Sequence, residues 1–142
     1  MELTKEQQNK IDEIGRKYNL KLILLHGSYA TGKQRPGSDL DIAILGHKPV
    51  SFDDQLKFFG EFGQIFGNNQ ERELDIKSLH GTDVLFKFQV ARDAALLYGD
   101  ASDFTEFKMY TYRAYRDSRD LFNLEHALTK KRQAHLMAAI NH

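Results

Sequence analysis

The chain has 142 residues, room for one hydrophobic core, and its 20 acidic and 20 basic side chains cancel, so no bulk field draws it to membrane or nucleic acid. Cysteine is absent, which excludes disulfides and thiolate metal sites. The polar start MELTKEQQNK lacks a signal-peptide core and no apolar run approaches the ~20 residues of a membrane span, so a soluble cytoplasmic protein is expected, with neither membrane nor direct nucleic-acid binding.

In chain order, Thr4 and Gln7 fit a capping box, and Ile11, Ile14 and Tyr18 recur at helical spacing, predicting a helix over Thr4 to Tyr18 that Asn19 ends. Leu20 to Leu25 is nearly all apolar, as in a strand covered on both faces. Gly27 to Gly37 is a polar loop with one helical turn starting at Ser28. Asp39 to Leu45 is a second strand, with Leu40, Ile42 and Ile44 facing away from Asp39 and Asp41. Gly46 to Pro49 turns the chain.

Ser51 caps a helix whose predicted apolar stripe is Phe52, Leu56, Phe59, Phe62 and Phe66, stopped by Gly67-Asn68-Asn69. Glu73 to Leu79 alternates as a third strand, with Leu74 and Ile76 inward and Asp75 on the other face. A helix starting at Thr82 or Asp83 is predicted to run through Tyr98 to Gly99. Another, capped by Ser102 or Asp103, carries Phe104, Phe107, Tyr110, Ala114 and Leu121. The polar stretch after Leu124 is helical in propensity and expected to be loosely attached. The order implies an α+β fold, a small mixed β-sheet flanked by helices, in one unit over 1–142 with a catalytic core over about 1–80 and C-terminal helices over about 82–142.

Chemistry concentrates between His26 and Leu45. Asp39 and Asp41 are spaced i, i+2, so they leave the same strand face about 6.5–7 Å apart. Paired carboxylates repel unless protons or cations intervene, and hard oxygen donors favour Mg²⁺ or Mn²⁺. Asp75 is a candidate third carboxylate on that face. Gly27 allows close backbone approach, and Ser28 offers a hydroxyl and an N–H at a strand-to-helix turn suited to phosphate oxygens. In a two-metal site about 3.5–4 Å across, Asp41 would bridge the ions, and Asp75 would bind the catalytic ion and accept the proton of the attacking hydroxyl.

Gly-Ser, ten residues, then Asp-x-Asp, followed by a third acidic strand residue, resembles the polymerase-β-like nucleotidyltransferase superfamily. The short chain narrows the resemblance to the MNT group of minimal nucleotidyltransferases. It is specific over Leu20–Leu45, extends to Leu74–Asp75, and is architectural beyond. It implies that Gly27, Ser28, Asp39, Asp41 and Asp75 act in nucleotidyl transfer from ATP. The three aspartates would hold two Mg²⁺ ions (or Mn²⁺), and the Gly-Ser turn would hold the triphosphate. Relatives often carry an arginine where this chain has Thr31, so nucleotide contact is expected to shift to Lys33 or Arg35. His26 replaces a usual aromatic or apolar residue and is read as a packing group.

Larger members add a domain that holds the acceptor, whereas here only helices follow the core. The acceptor is therefore expected to be a macromolecule. In the MNT group it is typically a HEPN-family RNase toxin, neutralised when its MNT antitoxin transfers AMP to a toxin tyrosine. The helix after Ser102 carries Tyr110, Tyr112, Arg113, Tyr115, Arg116 and Arg119 and is a candidate docking surface, or else half its tyrosines face the core. Arg119 and His126 also fit the loose Arg–His spacing of HEPN nucleases, but a HEPN bundle would need the chain that reads as strands. The alternatives are an inhibitor that acts by binding alone and a free-standing small-molecule nucleotidyltransferase.

Overall fold

Thr4 begins the regular structure with the expected reciprocal cap. Its Oγ1 accepts from the Gln7 N–H at 3.1 Å, and Gln7 Oε1 accepts from the Thr4 N–H at 3.0 Å. In the structure, a computed structural model describing residues 1–140, helix α1 (Lys5–Lys17) leads through Asn19, at φ 51°, into strand β1 (Leu20–His26). A single turn, α2 (Ser28–Thr31), and an exposed loop follow before strand β2 (Leu40–Gly46). Helix α3 (Phe52–Phe66) crosses to strand β3 (Leu74–Ser78), and helix α4 (Val84–Asp93) leads to strand β4 (Ala95–Tyr98) and helix α5 (Ala101–Ile140).

The four strands form one mixed sheet in the order β3-β2-β1-β4. β1 pairs antiparallel with β2 and β4, and β2 pairs parallel with β3. Alternation along the strands gives the sheet two unlike faces. Ile23, Leu25, Leu40, Ile42, Ile44 and Leu74 point to one side, where Ile11 and Ile14 of α1 and Phe58, Phe62 and Phe66 of α3 cover them. Leu22, Leu24, Ala43 and Leu79 point to the other side and meet Phe86 and Val90 of α4 and Phe104 and Phe107 of α5. On this second face the apolar cover extends over only part of the sheet. Beyond it the same strands carry His26, Asp41, Asp75 and Lys77.

Several expectations are corrected. The segment 95–98, expected to continue a helix through Tyr98, is β4, because the open edge of β1 offers a ladder of backbone partners. Helix α4 accordingly stops at Asp93. Gly99, at φ 118°, then turns the chain where an added Cβ would strike the Lys21 carbonyl oxygen. α5 begins at Ala101 rather than after a Ser102 or Asp103 cap, and the Phe104 N–H donates to the Asp100 carbonyl at 3.0 Å.

The Ser51 cap on α3 is as expected, its Oγ accepting from Asp54 N–H at 3.2 Å, but the buried stripe is Phe58, Phe62 and Phe66. Phe52, Leu56 and Phe59 remain 72%, 57% and 40% exposed. The inward set is the one that meets α1: Tyr18 packs on Phe58 at 4.2 Å between centroids, and Phe58, Phe62 and Phe66 stack in series. The tail after Leu124 remains helical to Ile140, and every residue from Arg116 onward within the described chain is exposed.

Candidate active site

The site lies where β1 ends and β2 begins. β1 runs out at His26, and Gly27 turns the chain at φ 70°, a backbone conformation that L side chains rarely adopt. A Cβ at Gly27 would collide with Asp41 Oδ2, so only glycine lets this turn lie against that carboxylate. Ser28 then opens α2, whose first N–H groups have no acceptor within the turn itself. Thr31 closes the turn, its Oγ1 donating toward the Gly27 and Ser28 carbonyls at 3.4 and 3.3 Å.

Sheet register brings the acidic residues together. His26 pairs with Asp41 across the antiparallel β1–β2 ladder, and Asp41 pairs with Asp75 across the parallel β2–β3 ladder. Three neighbouring strands thus carry His26, Asp41 and Asp75 side by side on one face. Asp39, exposed, lies just before β2 and adds its charge to the same neighbourhood. The Asp41 carboxyl is pushed up to about 6, first by burial, then by the charges of Asp75 and Asp39, with Lys77 opposing.

That accumulated negative charge, on an all-carboxylate donor set, fits a hard divalent cation. The donors are not drawn into a closed cluster: among the described residues no three carboxylate or imidazole groups converge as a ready-made metal site. Asp75 is instead engaged by Lys77, whose Nζ lies 3.6 Å from Asp75 Oδ2.

The other residues singled out from the sequence separate into two groups. Lys33 is exposed, and its charge is one of those that lower the pKa of Asp93, the last residue of α4, after the Arg92 side chain. Arg35 lies in the exposed loop; its backbone N–H donates to Ser38 Oγ at 2.9 Å, and among the described residues no ion pair joins its guanidinium to the aspartates. His26 packs, half-buried, with its ring edge-on to Phe86 at 5.8 Å, and burial pushes its pKa down. On α5, Tyr115 stacks on Phe88 at 3.9 Å and Tyr112 donates to the Ala91 carbonyl at 3.3 Å, so two of the three tyrosines serve α4. Tyr110, Arg113, Arg116 and Arg119 face outward.

Two residues near the site escaped the sequence reading. Lys77 follows Asp75 by two positions, so strand alternation alone puts it on the acidic face. Phe86 had no comparable signal, because its place against the apolar cluster of this face depends on how α4 docks. Its ring touches both His26 and Lys77 and separates the charged part of the face from the apolar part.

Comparison with known proteins places the chain in a family. Residues 9–103 match the family model described as Polymerase beta, Nucleotidyltransferase. The protein adenylyltransferase MntA of Aphanizomenon flos-aquae is 31% identical over 113 residues, covering 75% of this chain and 73% of that one. A chain of a toxin–antitoxin structure with AMP-PNP is 25% identical at a TM-score of 0.66, covering 80% of this chain and 90% of that chain. A chain of a structure of the tri-AMPylated Shewanella oneidensis HEPN toxin in complex with MNT antitoxin aligns at a TM-score of 0.62 and 22% identity, over 81% of this chain and 88% of that chain, a likeness of fold. The register that sets Asp41 beside Asp75 thus sits in a known enzyme fold, and the chain belongs to the polymerase β nucleotidyltransferase family, among its protein adenylyltransferases.

Proposed function

We propose that this protein is the antitoxin of a toxin–antitoxin pair, transferring AMP from ATP to a tyrosine of a HEPN-family RNase toxin in the cytoplasm and so silencing it. The observation that carries the reading is the in-register placement of Asp41 and Asp75 against the Gly27-Ser28 turn. The names and partners of the relatives supply the acceptor class. Asp39, Asp41 and Asp75 would hold Mg²⁺, and the bound ions would neutralise charge on the triphosphate and the leaving pyrophosphate.

The chain's own groups do the rest. The Gly27-Ser28 turn receives phosphate oxygens on its N–H groups and the Ser28 hydroxyl. Lys33, on the rim, offers a further cation. Asp75 accepts the proton of the attacking tyrosine hydroxyl. The new bond joins that oxygen to the α-phosphorus of ATP, the bond to the β-phosphate oxygen breaks, and pyrophosphate departs. α4 and α5 cover the apolar part of the sheet face and leave Asp39 exposed, which supports an acceptor that brings its own docking surface.

The test is transfer of label from α-labelled ATP, with Mg²⁺, to a purified HEPN toxin from the adjacent reading frame. Label should appear on the toxin as its RNase activity falls, and both effects should vanish in Asp39→Ala and Asp41→Ala. Neutralisation that survives both substitutions would make the protein an inhibitor by binding. Label on a small acceptor without the toxin would make it a free-standing enzyme.

A further inference from the structure

The acidic face already contains a cation of its own. Lys77 leaves β3 on the same side as Asp75, and its Nζ stands 3.6 Å from Asp75 Oδ2, with side chains 53% and 39% exposed. The ammonium also lies 5.2 Å from the centroid of Phe86. Phe86 is itself well fixed: its N–H donates to the Asp83 cap at 2.7 Å, its ring meets His26 edge-on, and it packs against the cluster containing Ala43. An aromatic face and a carboxylate therefore hold the ammonium from two directions, which favours one location for an otherwise flexible side chain. The charged groups facing it are Asp75, two residues back on the same strand, and Asp41 on β2, with His26 beyond on β1; its own partner in register is Ala43.

We propose that Lys77 is a positioning residue, the resident counter-ion of Asp75, which competes with a divalent cation for that carboxylate. The inference rests on reading Asp75 as a metal ligand and goes beyond it. With Lys77 in place, Asp39 and Asp41 are the unengaged pair, so a cation loads there first and reaches Asp75 only by displacing the ammonium.

The experiment is direct Mn²⁺ binding to the full, nucleotide-free chain at neutral pH, with free Mn²⁺ followed by electron paramagnetic resonance. Lys77→Met should bind Mn²⁺ about fivefold more tightly, the scale expected on removing a partly exposed competing ion pair. Lys77→Arg, which keeps the charge, should stay with the parent. Asp75→Asn should bind more weakly, and adding Lys77→Met to it should restore nothing. Should Lys77→Met melt early by circular dichroism, Lys77→Gln answers the same question. If Lys77→Met matches the parent while Asp75→Asn still weakens binding, the counter-ion role is overturned and the reading of Asp75 stands. If Asp75→Asn and Asp41→Asn both bind like the parent, the metal-site reading itself is overturned.

Discussion

The two faces of the sheet are built from the same strands and answer to different requirements. On the α1/α3 side, Ile23, Leu25, Leu40, Ile42 and Ile44 meet an unbroken apolar surface closed by the phenylalanines of α3. On the α4/α5 side the apolar contact stops at Phe86, and the remaining area carries carboxylates that repel one another. One face stabilises the fold and the other is held in place by it. Crowded like charges are unfavourable until a ligand arrives, and a stable opposite face is what allows them to persist.

Substitutions should therefore separate the faces. The largest effect is expected for Phe62→Ala, which empties a fully buried ring position stacked between Phe58 and Phe66. It should cost about 3–5 kcal/mol in urea unfolding, with AMP transfer falling only as the folded fraction falls. A cost below about 1 kcal/mol would mean that α3 does not close the core.

Asp41→Asn should do the reverse. Transfer should drop by about 10²–10³-fold, as for loss of a group that organises transition-state charge, while metal-free stability rises. The sign follows from the raised carboxyl, whose folded pKa of about 6 stands above its unfolded value of 3.8. Its favourable contribution is complete below the unfolded value and is lost as pH rises through about 6. With EDTA present, the parent should lose about 1–2 kcal/mol across that window, reduced from the full shift because the group is only part-buried. Asp41→Asn should flatten that slope, and thermal melts at several pH values read both quantities. A parent curve with no slope there would remove the electrostatic half of the comparison.

The smallest effect is expected from ending the chain after residue 120. The residues removed are exposed throughout the described part and outside both faces, so unfolding should change by less than about 0.5 kcal/mol. A larger loss would show that the tail packs against the body.

How much of this was readable beforehand follows the same division. The capping box at Thr4, the Ser51 cap and the turn at Ser28 are local patterns, and each appears where the spacing placed it, whereas the strand expected from Asp39 begins at Leu40 and leaves Asp39 in the exposed loop before it. β4 was not readable, because Ala-Leu-Leu-Tyr is a short apolar run that periodicity cannot assign, and the edge of β1 decides it. On α3, Phe62 and Phe66 are readable as buried and Phe58 is not, for a related reason. Its apolar residues outnumber one stripe, and only the position of Tyr18 on α1 selects Phe58 over Phe59. At the candidate site, the placing of Asp41 and Asp75 on one sheet face was legible from strand alternation, and the turn at Gly27 from residue type. Lys77 needed only the alternation already applied to Asp75, which puts residues two apart on one strand face.

The parallel pairing of Asp41 with Asp75 has a further consequence, for quality control during folding. β3 is a five-residue edge strand, the kind whose alignment is least firmly specified. A slip of one residue would send Asp75 into the apolar layer over α3 and place Ile76 or Leu74 among the charges. The native alignment is pinned at both ends: the Leu40 N–H donates to the Glu73 carbonyl at 2.8 Å, and the Leu79 N–H donates to the Ile44 carbonyl at 2.9 Å. A misaligned chain could keep much of its helix content and its buried α3 face, yet it would lack the third carboxylate. On the proposed role of Asp75, an activity assay would report a misaligned β3 that bulk measures of foldedness miss.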